Sequence, residues 1–360
     1  MQAQLCKDLK VVELASVLAG PAVGQFFAEL GASVIKIENK TTGGDVTRRW
    51  KAPSEAPEAS ASAYYYSVNW GKETQFLDLN APADRQQVLD WIAEADVVVS
   101  NYREASAQRL GMDYATLAAL NPRLIYAEIT GYGSDDPRPA FDVVLQAETG
   151  FLHMTGLPDG PPVKMPVALI DLLAAHQLKE GVLMALWQRE KTGLGGYVRV
   201  SLYDAAVASL ANQATNWLIA GHSPGRMGTQ HPNIAPYGDL FTTRDGGQLV
   251  LAIGAEAQFA ALCEVLGLDL HRQEAFASNS SRVRHRDALT AALAPAIARR
   301  DRRELLQELA ARQAPAGAVL ALPEVFENPA AKRLLLWRPD EDGQEVACVK
   351  TAVFEYLPGA

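Results

Sequence analysis

Residues 9–38 read LKVVELASVLAGPAVGQFFAELGASVIKIE. The segment opens with an apolar, β-branched run around Val11 and Val12, as a strand requires. An Ala/Gly/Phe stretch follows and stops at Gly31, a residue type that accepts the left-handed conformation of a helix end. Val34, Ile35 and Ile37 then supply a second strand. Strand, helix and strand make a βαβ unit, whose crossover leaves the two strands parallel. The alternation recurs downstream: Gln75 to Leu79 predicts a strand, Ala83 to Glu94 a helix, Asp96 to Ser100 a strand, and Leu124 to Thr130 another. A long helix is predicted over 171–192, carrying Leu172, Leu178, Val182 and Leu186; Gly193, Gly195 and Gly196 end it before a strand from Tyr197 to Ser201. The fold class is therefore α/β, with a large Rossmann-like parallel-sheet domain.

Past Leu202 one helix is predicted to run toward Gly221, and then the texture changes. Residues 222–237 are rich in Gly, Pro, Asn and His, and Leu240 to Ile253 reads as a hairpin turning at Asp245-Gly246-Gly247. With helices near 256–267 and 284–313, this predicts a smaller α+β domain. After Gly317 a strand, a short helix and a polar turn at Asp340 to Gly343 point to a return to a sheet. The expected division is 1–198 for the large domain, 199–222 for a linker helix, 223–316 for the small domain, and 317–360 for the return.

At 360 residues, 48% hydrophobic and 21% charged, the composition is that of an ordinary globular protein too long for one core. Net charge is −9 and no block of Lys or Arg could neutralise several phosphates, which argues against nucleic acid as a partner. An anionic small molecule stays open, because a ligand feels the charges lining its pocket more than the distant total. No uninterrupted apolar segment reaches the roughly 20 residues needed to span a bilayer. Glu13 interrupts the apolar stretch after Lys7 and Lys10, so a signal peptide is not expected. Cys6, Cys263 and Cys348 are odd in number and far apart, which fits a cytoplasmic protein without a disulfide framework.

The chemistry-bearing motifs of common hydrolases, P-loop enzymes and zinc proteins are missing. Two aspartates stand out because each sits among apolar residues: Asp142 in Ala-Phe-Asp-Val-Val-Leu-Gln and Asp171 in Val-Ala-Leu-Ile-Asp-Leu-Leu. A buried carboxylate is costly unless it is paired, hydrogen-bonded or useful. Asp171 could serve as the N-cap of the helix that follows, and Asp142 a similar structural role; capping and catalysis are compatible. His153, His176 and His231 lie nearest these segments, without metal-ligand spacing. Arg109 and Lys72 are candidate phosphate contacts.

Taken together the segments resemble the class III CoA-transferases, the family that includes formyl-CoA transferase, carnitine CoA-transferase and α-methylacyl-CoA racemase. The resemblance rests on Ala19-Gly20-Pro21 followed by Leu30 to Glu38; Asn69-Trp70-Gly71-Lys72 before Leu77-Asp78-Leu79; Asn101-Tyr102 and Arg109-Leu110-Gly111; and Phe141-Asp142 with Gln146-Ala147. The Asp171 segment and Val200 to Ala205 complete it, in order and over most of the chain. It implies a large α/β domain, a small domain and an interlocked homodimer. It implies acyl-CoA and a carboxylic acid as substrates, with no tightly bound cofactor and no metal. In the transferases the aspartate matching Asp171 attacks the thioester to give a mixed anhydride and then an aspartyl-CoA thioester. The resemblance assigns CoA contacts to Val17, Leu18, Ala19, Lys40, Lys72, Leu77, Asn101, Tyr102, Arg109, Phe141 and Asp142. A helix start is expected to hold Asp171 ionised through its dipole. In the racemases a histidine precedes the residue matching Asp142; Phe141 stands there, which favours transferase over isomerase. A CoA-binding homologue with little activity is the third reading. Asn39 and Asn80 replace an arginine and a lysine frequent in the family, and Leu18 stands where formyl-CoA transferase has a glutamine.

Overall fold

The computed structural model describes residues 4–133 and 136–357. The chain divides into two compact units, Met1–Thr149 with Met165–Ala211 and Pro329–Ala360, and Gly150–Lys164 with Asn212–Asn328.

The first unit is built on six parallel strands: β1 (Lys10–Glu13), β2 (Ser33–Asn39), β3 (Glu73–Leu77), β4 (Val97–Ser100), β5 (Ile125–Thr130) and β6 (Gly196–Ser201), in the order β3-β2-β1-β4-β5-β6. Val11 of β1 lies opposite Val34 on one side and Val97 on the other. The order runs outward from β1 through β2 to β3, then restarts at β4 beside β1. Loops leaving β1 and β4 therefore diverge and open a crevice at the carboxyl ends of the strands.

Both sheet faces are covered, which is why β4 reads as the apolar run Val97-Val98-Val99 and β1 buries Val11 and Val12 side by side. Helices α1 (Ala19–Glu29), α6 (Leu169–Thr192) and α7 (Leu202–Ala208) pack together on one face. On the other, α2 (Pro82–Ala93), α3 (Glu104–Leu110) and α4 (Tyr114–Leu120) contribute Val88, Ile92, Leu110 and Leu117 to a core with Val12, Ile37 and Val98. Full burial of one such side chain contributes roughly 1.5–3 kcal/mol. Helix α5 (Asp142–Glu148) lies beside α6 and α7.

Several boundaries differ from expectation. Strand β3 ends at Leu77, not Leu79, because the Asp78 carboxylate accepts the Asn80 N–H and turns the chain. The predicted helix over 202–221 is two helices, Leu202–Ala208 and Ala211–Ala220. Ser209 donates its hydroxyl to the Ala205 carbonyl and Ala211 adopts φ +44°, which breaks the run. Residues Leu335–Pro339 and Glu345–Val349 form an antiparallel hairpin of their own and do not join the parallel sheet.

The second unit has a three-stranded antiparallel sheet, Tyr237–Thr242, Gln248–Ala252 and Ala316–Ala318. Its hairpin turns where predicted, with the Thr243 N–H donating to the Gly247 carbonyl at 2.9 Å and Gly246 at φ +77°. Phe241, Leu251, Phe259, Leu293 and Leu309 form its core. The single helix expected over 284–313 is split into Arg286–Ile297 and Arg302–Ala311. Among the described residues no helix is long and apolar enough to cross a membrane. The three cysteines are unpaired.

Candidate active site

A cavity of about 710 Å³ occupies the crevice where the strand order reverses. The loop 16–19 after β1, residues 101–105 after β4, the end of β5, residues 137–141, Asp171 and Arg199 line it. Seven residues singled out from sequence thus converge: Val17, Leu18, Ala19, Asn101, Tyr102, Phe141 and Asp171.

Asp171 lies in the first turn of α6 and is 8% exposed, and no described residue donates a hydrogen bond to its carboxylate. It is not the N-cap; that position is Ala168, whose side chain has no acceptor. The cap comes from the neighbouring helix. Asp142 accepts the Ile170 N–H on Oδ1 at 2.7 Å and the Gln146 amide on Oδ2 at 2.6 Å. Gln146 in turn accepts the Met165 N–H at 2.8 Å. Asp142 is thus committed to ordering the start of α6.

Burial, then the Asp142 charge, pushes the Asp171 carboxyl up to about 7. This corrects the expectation that the helix start holds Asp171 ionised: Asp142 takes an N–H of that turn and adds a negative charge beside the site. Tyr64, half-buried, reports the same crowding: burial and the charges of Asp171, Asp142 and Asp45 push its phenol up to about 12. No motif marks Tyr64 in the sequence.

Lys72 is corrected outright. Its ammonium is fully buried, 2.7 Å from Glu13 Oε2, 2.9 Å from Asn69 Oδ1 and 2.8 Å from the Pro21 carbonyl, so it meets no phosphate. Burial pulls it down to about 7, with Lys36 adding to the effect and Glu13 opposing it. Lys40, Leu77 and Arg109 do not line the cavity, though Lys40 and Leu77 lie at the same sheet edge, at the carboxyl ends of β2 and β3. Lys40 pairs with Asp84 at 2.5 Å, and Arg109 donates to Asn80 Oδ1 at 2.7 Å. Leu77 packs, partly buried, against the core. Asn101 lines the cavity, yet its amide brackets Ser16: Oδ1 accepts the Ser16 N–H at 3.1 Å and Nδ2 donates to the Ser16 carbonyl at 2.8 Å. Phe141 is 54% exposed. Among the described residues no histidine lines the cavity.

Sequence reasoning missed Glu128 and Arg199. They face each other in register on β5 and β6, with Arg199 Nε 2.7 Å from Glu128 Oε2, and both line the cavity. A lone charge within an apolar strand was the available signal. Arg103, also lining it, has no acidic partner among the described residues.

The pattern of CoA-transferase family III matches residues 6–356. The chain is 37% identical over 354 residues to the succinate–glutarate CoA-transferase of Agrobacterium fabrum, covering 96% of this chain and 88% of that one. It is 36% identical over 336 residues to the acetyl-CoA:oxalate CoA-transferase of Acetobacter aceti, covering 91% and 84%. The crystal structure of a CaiB/BaiF family protein from Brucella suis superimposes with a TM-score of 0.83 at 39% identity, covering 97% and 92%. The chain therefore belongs to CoA-transferase family III and is a CoA-transferase, an enzyme that works on CoA thioesters.

Proposed function

We propose that Asp171 is the group through which the acyl and CoA moieties pass. Its carboxylate attacks the thioester carbonyl and CoA leaves as thiolate, giving an aspartyl mixed anhydride. The thiolate attacks the aspartyl carbonyl, releases the donor acid and forms an aspartyl-CoA thioester. The acceptor carboxylate attacks that thioester, and the freed thiolate takes the new acyl group and restores Asp171. Every intermediate is an activated acyl group, so no cofactor enters the balance and excluding water preserves the thioester energy. The observation that carries this reading is a buried carboxylate without a hydrogen-bond partner in the switch-point cavity. A desolvated carboxylate is a stronger nucleophile than a solvated one.

Short dicarboxylic acids, succinate or glutarate among them, are the proposed acyl partners. The names of the relatives support this, as does Arg103, a cavity cation without an acidic partner among the described residues. An isomerase would need a second acid/base, and the exposed Phe141 cannot supply one. A non-catalytic CoA binder would have no use for an unpaired buried carboxylate. We further propose a cytoplasmic, interlocked homodimer: Met184 and Trp187 on α6, and in the second unit Leu218 and Ile219, are exposed apolar side chains that a second copy would cover.

The test incubates the enzyme with glutaryl-CoA and hydroxylamine, then maps the modified peptide by mass spectrometry. A hydroxamate on Asp171, absent in Asp171→Ala, supports the reading, and full exchange by Asp171→Ala removes it. Running the exchange in D₂O separates the isomerase, which alone would wash deuterium into the α-carbon.

A further inference from the structure

The backbone that leaves β1 is gripped by three side chains in succession. Lys36 Nζ donates to the Ala15 carbonyl at 2.8 Å, Asn101 brackets both backbone groups of Ser16, and Asp45 Oδ2 accepts the Val17 N–H at 3.2 Å. Val17 is held at φ +75°. For a β-branched residue that is an outlier, and such strain persists only where the surroundings over-determine it. Deep burial anchors the grip. Lys36 Nζ lies 2.9 Å from Glu13 and 3.1 Å from Asp45, all with essentially no exposed side chain. Burial works against the Asp45 charge, but Lys36 and the Thr47 N–H outweigh it and hold the carboxyl below its ordinary range.

The strained turn delivers the chain into α1. Leu18 is the N-cap and its side chain cannot cap; the first helical bond runs from the Ala22 N–H to the Leu18 carbonyl at 2.8 Å. The N–H groups of Ala19 and Gly20 therefore have no helical acceptor. Leu18 and Ala19 line the same cavity as the unpartnered Asp171. Negative charge develops on the thioester oxygen as Asp171 attacks, and fixed N–H donors at a helix start are suited to receive it.

We propose that Asp45 is a positioning residue of the transfer reaction: it does not line the cavity, but holds Val17 in the left-handed conformation that fixes the first turn of α1 in the cavity Asp171 also lines. This rests on the assignment of Asp171 given above. The turn is exacting, since a Cβ at Gly20 would overlap that of Ala15.

The experiment compares Val17→Gly, Asp45→Asn, the double variant and Asp171→Asn in the full chain, reading kcat, KM for acyl-CoA and thermal midpoint. Glycine adopts φ +75° without strain and keeps the N–H that Asp45 accepts, so Val17→Gly should raise the midpoint. Asp45→Asn should lower kcat about tenfold with KM nearly unchanged, and the same substitution in the Val17→Gly background should cost less, because the left-handed conformation no longer has to be held. An unchanged kcat in Asp45→Asn, or the same loss in both backgrounds, would overturn the positioning role. Should Asp45→Asn not fold, the double variant, relieved of the strain, is compared with Val17→Gly, and a kcat loss as large as about tenfold there would overturn it. Turnover retained by Asp171→Asn would sink the Asp171 assignment and this inference with it. An inactive Asp171→Asn beside a fully active Asp45→Asn would sink the inference alone.

Discussion

Asp142 and Ile170 join two helices at one hydrogen bond: the carboxylate on α5 accepts the backbone N–H of the residue immediately before Asp171, at 2.7 Å. The same carboxylate raises the Asp171 pKa through its charge. Burial is the larger cause of that rise, so Asp142 fixes the position of the candidate nucleophile and adds to its basicity, and the two effects separate by substitution.

Asp142→Asn keeps a cap acceptor and removes the charge. The acid limb of kcat/KM should move to lower pH, while thermal stability changes little. Asp142→Ala removes the acceptor too and should cost about 1 kcal/mol in denaturant unfolding. An acid limb unmoved by Asp142→Asn would place the essential ionisation elsewhere.

The Asp171 pKa is itself a stability statement. Its folded value, about 7, stands above the ordinary 3.8, so between those values the native state binds more protons than the unfolded one. Stability therefore falls as pH rises from about 4 to about 7, and the penalty persists above that window. Asp171→Asn should unfold at higher urea at pH 8, by up to about 4 kcal/mol at 1.36 kcal/mol per pKa unit, with a smaller gain at pH 5. An equal gain at both pH values would refute the raised pKa.

Gly24 lies where α1 crosses the buried charges. A Cβ there would overlap Glu13 Oε2 and stand 3.2 Å from Lys72 Cε, forcing apart an ion pair with no room to move. Gly24→Ala should therefore lower stability by about 3 kcal/mol, despite alanine's better helix propensity. Calorimetry showing a stabilised Gly24→Ala would contradict the packing.

Arg109 and Lys72 carry like charges and opposite expectations. Arg109 is exposed at the sheet edge beside Asn80, and Arg109→Ala should weaken CoA binding about tenfold if it meets a phosphate. Lys72→Met should leave CoA affinity unchanged in the folded fraction, because the ammonium is sealed against Glu13. Calorimetric titration of CoA into each variant distinguishes them.

The parallel α/β class and the βαβ opening were legible in the chain, because each depends on local periodicity, and such signals survive in one dimension. Residues 17–19, 101–102, 141 and 171 were drawn from the family resemblance, and only the fold shows that they line one cavity. The break at Ala211, the separate C-terminal hairpin and the fate of Lys72 were not. The Asn69-Trp70-Gly71-Lys72 motif reads the same whether its lysine faces a ligand or a buried glutamate 59 residues away.

By itself, the sequence determined the βαβ opening and the parallel α/β class, because hydrophobic periodicity and turn chemistry act between near neighbours, while Asp171 was marked by its apolar surroundings and by the family resemblance. Only the tertiary structure decided that Asp142 caps α6, that Asp171 is left unpartnered and hard to ionise, and that Asp45 grips Val17. Those properties are set by desolvation and by charges brought together across tens of residues, and neither quantity exists until the chain has folded.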